Sequence, residues 1–594
     1  PVDPDGTVTS SLFIPPEALA DLTPGVYPLR ASLTGAQSDG ADAVTSTSVL
    51  IVTDVAASPV AVMVPITATP ANGSLLTADE LATLTGTEGD LTAALEGVSG
   101  TAAILAIDPA IPAAIRVLGS SAPESARDWL LQLDELPNER FALQFGDADA
   151  QVQAQAGMPE LLQPTTLAPF LNPSNFTATP APTPAGSDAT ATPSPTPTSG
   201  PALPTDEQLT VVDGAAPGIL WPRSDVSAEN LSTFSTYVDG ESTTVLSSTS
   251  AGSPVGARAT IDGRDVLVAD SAASDALSDA AGEADQAARQ RSLAEASAHL
   301  YLSAHATAFA PLLVALDRDE TRSDEALRES ILTVDSPGFG LGALTATPAS
   351  ATTLVSEADE ARAASLRTML DSEPPLTQFA TILDDPQLLL SPKRIQILRA
   401  TGVGLNDNAF AKAVAGVHEA TQDTLSAVDI PPASTIQLLS ANADLPFSVR
   451  NDLPWPVNIR LSVYPSDARL DVEPVTPWVV QAGTTARVKV PVSARVGSGE
   501  VSLRLELSSP TGVPISQPET VRVAVRAEWE TIGLAVLGGL IVLLLGLGII
   551  RTVARKRREA AEISEAEEAI DTDTDVDGQQ DAEATTAPNK EPNE

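Results

Sequence analysis

Acidic side chains follow two of the apolar segments that are predicted to be β-strands. Asp108 comes directly after the run AAILAI at 102–107, and Asp147 comes after RFALQFG at 140–146. If these strands belong to a parallel barrel, their carboxyl ends meet on one face and the two carboxylates lie near each other. Two carboxyl groups about 5–10 Å apart can hydrolyse a glycosidic bond, one as acid and the other as nucleophile or base. The alternative is that each Asp caps the helix that follows it, which is common in an acidic chain.

Further polar residues stand at the ends of later predicted strands. An aromatic ring beside a proline can stack on a sugar, although a buried anchor is the simpler interpretation of Trp221. The carboxylates and the guanidinium in this set would hydrogen-bond a polar ligand at the same face. The predicted ligand-binding residues are Trp221, Asp225, Asp270, Asp317 and Arg318.

The remaining composition excludes several classes of chemistry. The chain has no cysteine, and its three histidines, His299, His305 and His418, do not have the spacing of a metal site. We find no phosphate-binding glycine loop and no nucleophile-elbow motif, so we expect neither a metal nor a cofactor. A net charge of -45, from 33 Lys and Arg against 78 Asp and Glu, argues against nucleic acid as a partner.

The elements that must position these residues alternate between strand and helix over residues 57–345. Apolar runs such as 60–66 and 264–269 are separated by segments with helical periodicity, which predicts a mainly parallel sheet. About seven such units favour an α/β TIM-like or incomplete (β/α) barrel. The runs at 331–334 and 340–345 are predicted as its last strands. A Pro/Thr-rich insert at 172–205 is expected to be disordered or extended, because alternate prolines fit neither a ladder nor a helix.

The segments on either side of the barrel are predicted to be different. Residues 1–56 have the alternation of β-strands and are expected to be the end of a truncated Ig-like β-domain. Residues 346–432 are predicted to be a helical extension, with one helix starting at Ser391-Pro392. Seven short apolar runs in 433–528 predict an Ig-like β-sandwich. The fold class is therefore multidomain: a barrel flanked by Ig-like sandwiches, with one C-terminal transmembrane helix.

The run TIGLAVLGGLIVLLLGLGII at 531–550 has the length and composition of a membrane span. Arg and Lys cluster after it at 551–558, so we expect a single-pass type I protein in the cell membrane, with the N-terminal part outside. The tail at 551–594 is predicted to be a basic then acidic disordered segment in the cytoplasm. An outside N-terminus needs a signal peptide, and none is present before Pro1, so a fragment or processed form is expected.

Several short motifs resemble those of an uncharacterised actinobacterial family of membrane-anchored envelope proteins. They are Ala-Ile-Asp-Pro-Ala at 106–110, Leu-Trp-Pro at 220–222 and Val-Arg-Asn-Asp-Leu-Pro at 449–454, together with the terminal span. That family has a domain of unknown function and is typically encoded beside the lipid II flippase of peptidoglycan synthesis. The resemblance implies a cell-envelope role and supplies no catalytic residues. The barrel is also similar in outline to polysaccharide deacetylases, but the histidine metal ligands of those enzymes are missing here.

Three functions are compatible with this sequence. The first is a membrane-anchored extracytoplasmic interaction or scaffold protein of the bacterial envelope, whose partner is a cell-wall glycan or a membrane protein of envelope synthesis. The second is a glycan-active hydrolase that uses Asp108 and Asp147. The third, a signalling receptor, has less support because the tail contains no folded domain. The absence of a strong catalytic motif favours a role other than that of an enzyme.

Overall fold

The computed structural model describes residues 13–33, 44–176, 202–223, 226–238, 240–318, 321–355, 360–495, 498–526 and 529–561. Most of the Pro/Thr-rich insert, Asp225 and the acidic part of the tail lie outside these ranges, so the expectations for them are not addressed by the structure.

An antiparallel strand pair opens the described chain. A short helix, α1 (Pro16–Leu19), precedes strands β1 (Gly25–Leu33) and β2 (Val44–Val52). Gly25 lies opposite Val52 and Leu33 opposite Val44. The alternating Val, Thr and Ser side chains of β2 fit a strand with one exposed face.

The next sheet is a nearly closed, barrel-like arrangement of mainly parallel strands. Parallel neighbours follow the order β11-β3-β4-β5-β6 on one side and β7-β8-β10-β11 on the other. Two residues separate β6 from β7, so the sheet curls almost into a ring. Strand β9 is antiparallel to β10, and β12 pairs with β9. The strands are β3 (Val60–Ile66), β4 (Ile104–Ile107), β5 (Arg140–Ala142), β6 (Ala215–Ala216), β7 (Ile219–Leu220), β8 (Thr243–Ser247), β9 (Arg258–Ile261), β10 (Arg264–Ala269), β11 (Leu312–Ala315) and β12 (Ser350–Thr352).

Both faces of the central strands β3 and β4 are buried, which explains why these strands are continuous apolar runs. Along β3, Ala61 and Met63 pack in one apolar cluster while Val62 and Val64 pack in another. Successive strand residues point to opposite faces, so the first cluster fills the inside of the curled sheet and the second meets the helices. The helices of this region are α2 (Ala78–Leu84), α3 (Asp90–Val98), α4 (Ala110–Leu118), α5 (Glu124–Glu135), α6 (Ala150–Gln155), α7 (Asp206–Thr210), α8 (Ala228–Tyr237), α9 (Ser271–Gly282), α10 (Gln286–Ala306), α11 (Asp324–Val334) and α12 (Leu341–Thr345).

The last two predicted barrel strands are wrong, because residues 331–334 and 341–345 are helical. The first run is the end of α11, and the second contains α12. A four-residue apolar run does not distinguish a strand from a buried helical turn. In α11 the buried positions include Leu327, Ile331 and Val334, whose spacing is helical, and Ser323 caps the helix.

Four helices form the extension after the barrel: α13 (Ala361–Leu370), α14 (Glu373–Ala380), α15 (Gln387–Ala400) and α16 (Asp407–Ser426). The predicted helix start at Pro392 is wrong, because α15 begins at Gln387 and contains Pro392. The segment 401–406 between α15 and α16 reaches the barrel. There Gly402 forms a β-bridge with Ala148, and the Asp149 N–H donates to the Thr401 carbonyl at 3.0 Å.

The C-terminal folded unit consists of two antiparallel-rich sheets, ordered β13-β15-β19-β17 and β14-β21-β20-β16-β18. Alternate side chains of β16, including Val457, Ile459 and Leu461, are buried between the sheets. The strands are β13 (Val428–Asp429), β14 (Ile436–Leu438), β15 (Asn442–Asn451), β16 (Val457–Pro465), β17 (Leu470–Val472), β18 (Val475–Val480), β19 (Thr484–Ala494), β20 (Ser498–Ser508) and β21 (Glu519–Arg526). Strand β18 was not predicted, because it lies at a sheet edge and most of its side chains are exposed.

A final helix, α17 (Trp529–Ala561), follows β21. Its segment Gly533–Arg555 is long and apolar enough to cross a membrane, and none of its apolar window is buried in the described chain. Exposing so many apolar side chains to water is unfavourable, so a membrane anchor is the simplest explanation of this exposed helix.

Candidate functional site

Asp108 lies at the end of β4 and is completely buried. Its Oδ1 accepts hydrogen bonds from the backbone N–H groups of Ala110, at 2.9 Å, and Gly146, at 2.8 Å. Its Oδ2 lies 3.2 Å from Nη1 of Arg399 on α15. Burial raises the pKa of Asp108, while the Arg399 charge and the two amides act in the opposite direction. The carboxylate therefore joins β4, the turn after β5 and the helical extension.

Asp147 lies beside this group in a turn with a left-handed backbone. Its φ is 52°, which is unusual for a residue other than glycine. Arg318, just after β11, donates to both carboxylate oxygens, with Nε 3.1 Å from Oδ2 and Nη2 3.3 Å from Oδ1. Burial raises the pKa of Asp147, and Arg318 opposes this rise. The structure thus brings the two predicted acids to one face of the barrel, and each is paired with an arginine.

Trp221 and Arg318, both predicted ligand-binding residues, contact each other. The Arg318 guanidinium lies 3.8 Å from the centre of the Trp221 ring, a cation–π contact. Its Nη2 also donates to the Trp221 carbonyl at 3.3 Å. One face of the ring is therefore covered by Arg318, which fixes the guanidinium in front of Asp147.

The segment 401–405 from the helical extension covers part of the barrel mouth and is held by arginines. Arg223 Nη1 donates to the carbonyls of Val403 and Leu405, and Arg362 Nη2 donates to that of Leu405 at 2.8 Å. The Val403 N–H in turn donates to the Asp147 carbonyl at 3.0 Å. Sequence reasoning missed Arg223, Arg362 and Arg399. Two features of the sequence could have indicated them. Basic residues are scarce in this acidic chain, and Arg399 comes directly after the apolar residues Ile397 and Leu398 of α15.

A cleft of about 350 Å³ remains open beside this segment. Trp221, Arg223, Asp317 and Arg318 line one part of it, and hydroxyl groups line another. Two of those hydroxyls accept hydrogen bonds from the backbone at and after the end of β11. Ser274 accepts from the Ala315 N–H and Ser278 from the Asp317 N–H, both at 3.0 Å. Asp317 itself forms an ion pair with Arg322. The other hydroxyl-bearing lining residues are Ser247 and Ser271.

A smaller cavity of about 120 Å³ lies against the same arginine. It shares Arg318 and Gly404 with the larger cleft and is also lined by Asp147 and Arg399. Arg318 therefore separates two spaces at the mouth of the barrel.

One other predicted site residue, Asp270, has a capping role. Asp270 caps α9 by accepting from the Ala273 N–H at 2.8 Å, and it also accepts from the Ser303 hydroxyl. This is the capping role that the sequence left open as an alternative. Within the described ranges, no group of three or more His, Asp or Glu residues is arranged to hold a metal ion.

Comparison with known proteins gives a family and no function. A family model described as "Family of unknown function (DUF6049)" matches residues 1–589. No curated protein is similar enough in sequence to count as a match.

The solved structures with similar segments correspond to about one sixth of the chain. Native alpha-2-macroglobulin of E. coli is 17% identical, with 17% of this chain and 7% of that chain covered and a TM-score of 0.15. SSP-19, an MSP-domain protein like family member in Caenorhabditis elegans, is 13% identical, with coverages of 16% and 94% and a TM-score of 0.13. The E. coli chaperone DraB is 14% identical, with coverages of 17% and 54% and a TM-score of 0.13.

Proposed function

The chain belongs to DUF6049, a family of unknown function, and from this premise we propose that it is a membrane-anchored interaction or scaffold protein of the bacterial cell envelope. Its barrel mouth binds a ligand without transforming it. The ligand is a cell-wall glycan or a glycan-bearing partner, and the role is linked to peptidoglycan synthesis or lipid II export.

The observation that carries this proposal is the pairing of both candidate acids with arginines. Asp108 has no exposed surface, and a sugar in the cleft cannot reach its carboxylate. Both oxygens of Asp147 are held by Arg318. A general acid or nucleophile must touch the scissile bond, so this arrangement favours binding over hydrolysis.

The chemistry of the cleft supports a polyhydroxylated ligand. Its volume of about 350 Å³ lies in the range of small-molecule sites. Serine hydroxyls, Asp317 and Arg223 offer both donors and acceptors, and Trp221 provides an aromatic edge. A sugar presents the complementary combination of hydroxyls and apolar ring faces.

The finer architecture is part of the same proposal. The curled parallel sheet is TIM-like, with its ligand face at the carboxyl ends of the strands. The C-terminal sheets form an Ig-like stalk, and the cluster of Arg and Lys after the span places residues 1–530 outside the membrane.

The proposal is tested by recovering partners of the full chain after cross-linking in membranes. Ser247→Trp fills the cleft, and Ser235→Trp adds the same side chain at an exposed position of α8. We expect the wild type and Ser235→Trp to recover wall glycan or an envelope-synthesis protein, and Ser247→Trp to recover several-fold less. Recovery of neither class by the wild type would refute the proposal.

Glycan hydrolysis by Asp108 and Asp147 is the second candidate. One observation favours it: burial raises the pKa of both acids, and the charge of Asp147 further raises that of Asp108. Purified full chain incubated with wall glycan decides between the two. Release of reducing ends that is lost in Asp147→Asn would establish the enzyme, whereas we expect no release from either form.

A further inference from the structure

Asp275, on α9, is a carboxylate of the cleft that lacks a paired cation in the described chain. It lines the cleft of about 350 Å³ and is exposed to solvent. In the part of the chain that the structure describes, it forms no hydrogen bond and no ion pair. Partial burial raises its pKa, the negative charges of Asp279, Asp317 and Asp270 raise it further, and His299 opposes the rise. A cation beside Asp275 would relieve this repulsion.

The other charged side chains that line the cleft are each offset by an opposite charge. The pairs are Arg318 with Asp147, Asp317 with Arg322, and Arg223 with the nearby buried carboxylate of Asp149. Among the described lining residues, the carboxylate of Asp275 is therefore the charge that remains for a ligand. This excess charge is negative, so the cleft favours a ligand with a positive group over an anionic one.

Two serines on the same helix add hydrogen-bond donors beside Asp275. Ser274 and Ser278 line the cleft, and they are only 9% and 8% exposed. Their oxygens accept the N–H groups of Ala315 and Asp317, but neither hydroxyl donates to an acceptor in the described chain. A hydroxyl group both accepts and donates, so each serine keeps a proton for an oxygen of a ligand. Because a buried donor without an acceptor is unfavourable, the two serines indicate a ligand that carries oxygens.

A sugar with a free amine matches this combination of groups. Its ammonium group complements Asp275, and its ring and hydroxyl oxygens accept from the serines. An N-acetylated sugar has the same oxygens and no charge, so it lacks the contact with Asp275. We propose that the cleft binds a glycan with a free amine, with Asp275 as the counter-ion of the ammonium group and Ser274 and Ser278 as donors to its oxygens. This inference rests on the proposed ligand-binding function and specifies the substrate class of that site.

The test is isothermal titration calorimetry of the detergent-solubilised full chain with the glucosamine disaccharide and its N-acetylated form. At about pH 6.5 the amine is largely protonated and the aspartate ionised, and about 0.15 M salt screens the acidic surface outside the cleft. Asp275→Asn removes the carboxylate, and Asp279→Asn is the matched control one helical turn away, outside the cleft lining. We expect the wild type and Asp279→Asn to bind the amine form roughly five- to tenfold more tightly than the acetylated form, and Asp275→Asn to bind both equally.

Equal binding of the two sugars by the wild type, or a preference that survives in Asp275→Asn, overturns the inference. Because Asp275 is exposed, we expect its replacement by Asn to leave the fold intact, and an unchanged Tm checks this. If the variant does not fold, the same titration of the wild type at about pH 9, where the amine is neutral, is expected to remove the preference.

Two further outcomes separate this inference from its neighbours. Binding of a lysine peptide with no binding of the amino sugar overturns the assignment to a glycan. Partner recovery from membranes without the amine preference refutes this inference alone, and the preference without partner recovery refutes only the proposed envelope function.

Discussion

Asp149 is a buried carboxylate whose energetic effect depends on pH. It is completely buried and caps α6 by accepting from the Gln151 N–H at 2.9 Å. Burial raises its pKa from 3.8 to about 6, against the opposing effects of the Gln151 amide and Arg223. The folded protein thus binds this proton more tightly than the unfolded chain does. The contribution of Asp149 to the unfolding free energy is largest below pH 4 and decreases as the pH rises through about 6.

Asp149→Asn removes this titration and keeps the helix cap. We expect the variant to be more stable than the wild type by roughly 2–3 kcal/mol at pH 7.5, with the difference shrinking towards pH 4.5. Urea unfolding at several pH values measures it. Asp285→Asn is the control, because Asp285 caps α10 from an exposed position. A difference that does not change with pH would contradict the prediction.

Asn451, in the Val-Arg-Asn-Asp-Leu-Pro motif, is fully buried and satisfies four backbone groups. The two hydrogens of its Nδ2 are shared among the carbonyls of Trp455, Val480 and Gln481 at 2.9 to 3.2 Å, and its Oδ1 accepts from the Leu453 N–H. We expect Asn451→Ala to destabilise the sandwich by about 2–4 kcal/mol, since several buried groups lose their partners. Exposed Asn442→Ala should change stability by less than about 0.5 kcal/mol. Equal midpoints in chemical unfolding would disprove this role of the motif.

At the scale of the elements, the segment between α15 and α16 packs closely against the residue that follows β11. A Cβ on Gly404 would lie 2.7 Å from Cβ of Arg318, so any larger residue displaces the segment or the arginine. We expect Gly404→Ala to cost about 1–3 kcal/mol in unfolding free energy and to weaken ligand recovery. Gly416→Ala, in the middle of α16 with open space around it, should instead stabilise by up to about 1 kcal/mol. A neutral Gly404→Ala in thermal unfolding would show that the segment moves freely.

The barrel strands and Asp108 were predictable because their signals are local. Continuous apolar runs predict β3 and β4, and the acid at the end of β4 follows directly. The pairing of Asp108 with Arg399 was not predictable, because 291 residues separate the two and no periodicity relates them. The interior proline misplaced the start of α15, since Pro is usually found in the first turn of a helix. Local sequence patterns thus predicted the acids of the site, whereas the arginines that pair with them are brought there by long-range contacts in the fold.

At the scale of the whole molecule, the orientation of the proposed membrane span determines on which side of the membrane the barrel lies. In the proposed orientation, with the Arg and Lys cluster in the cytoplasm, protease added to intact cells should digest the segment 13–526 and leave the tail after residue 551 protected. Antibodies against epitopes at each end measure the fragments. Lysed cells are the control, in which both ends become accessible. Digestion of the N-terminal part only after lysis would reverse the proposed orientation and remove the envelope function.

The helical extension contacts both of its neighbours. At one end Arg399 neutralises a buried acid of the barrel, and at the other the Ile382 carbonyl accepts from the Asn458 N–H of the sandwich at 2.7 Å. A fragment cut at residue 345, where the sequence places the end of the barrel, would leave Asp108 buried without its cation, a change that costs several kcal/mol. A fragment that keeps the mouth intact therefore needs α16, and it also needs the sandwich, because Leu376, Phe379 and Leu389 of the extension pack in the sandwich core. Trimmed versions for crystallisation or binding assays should end after β21.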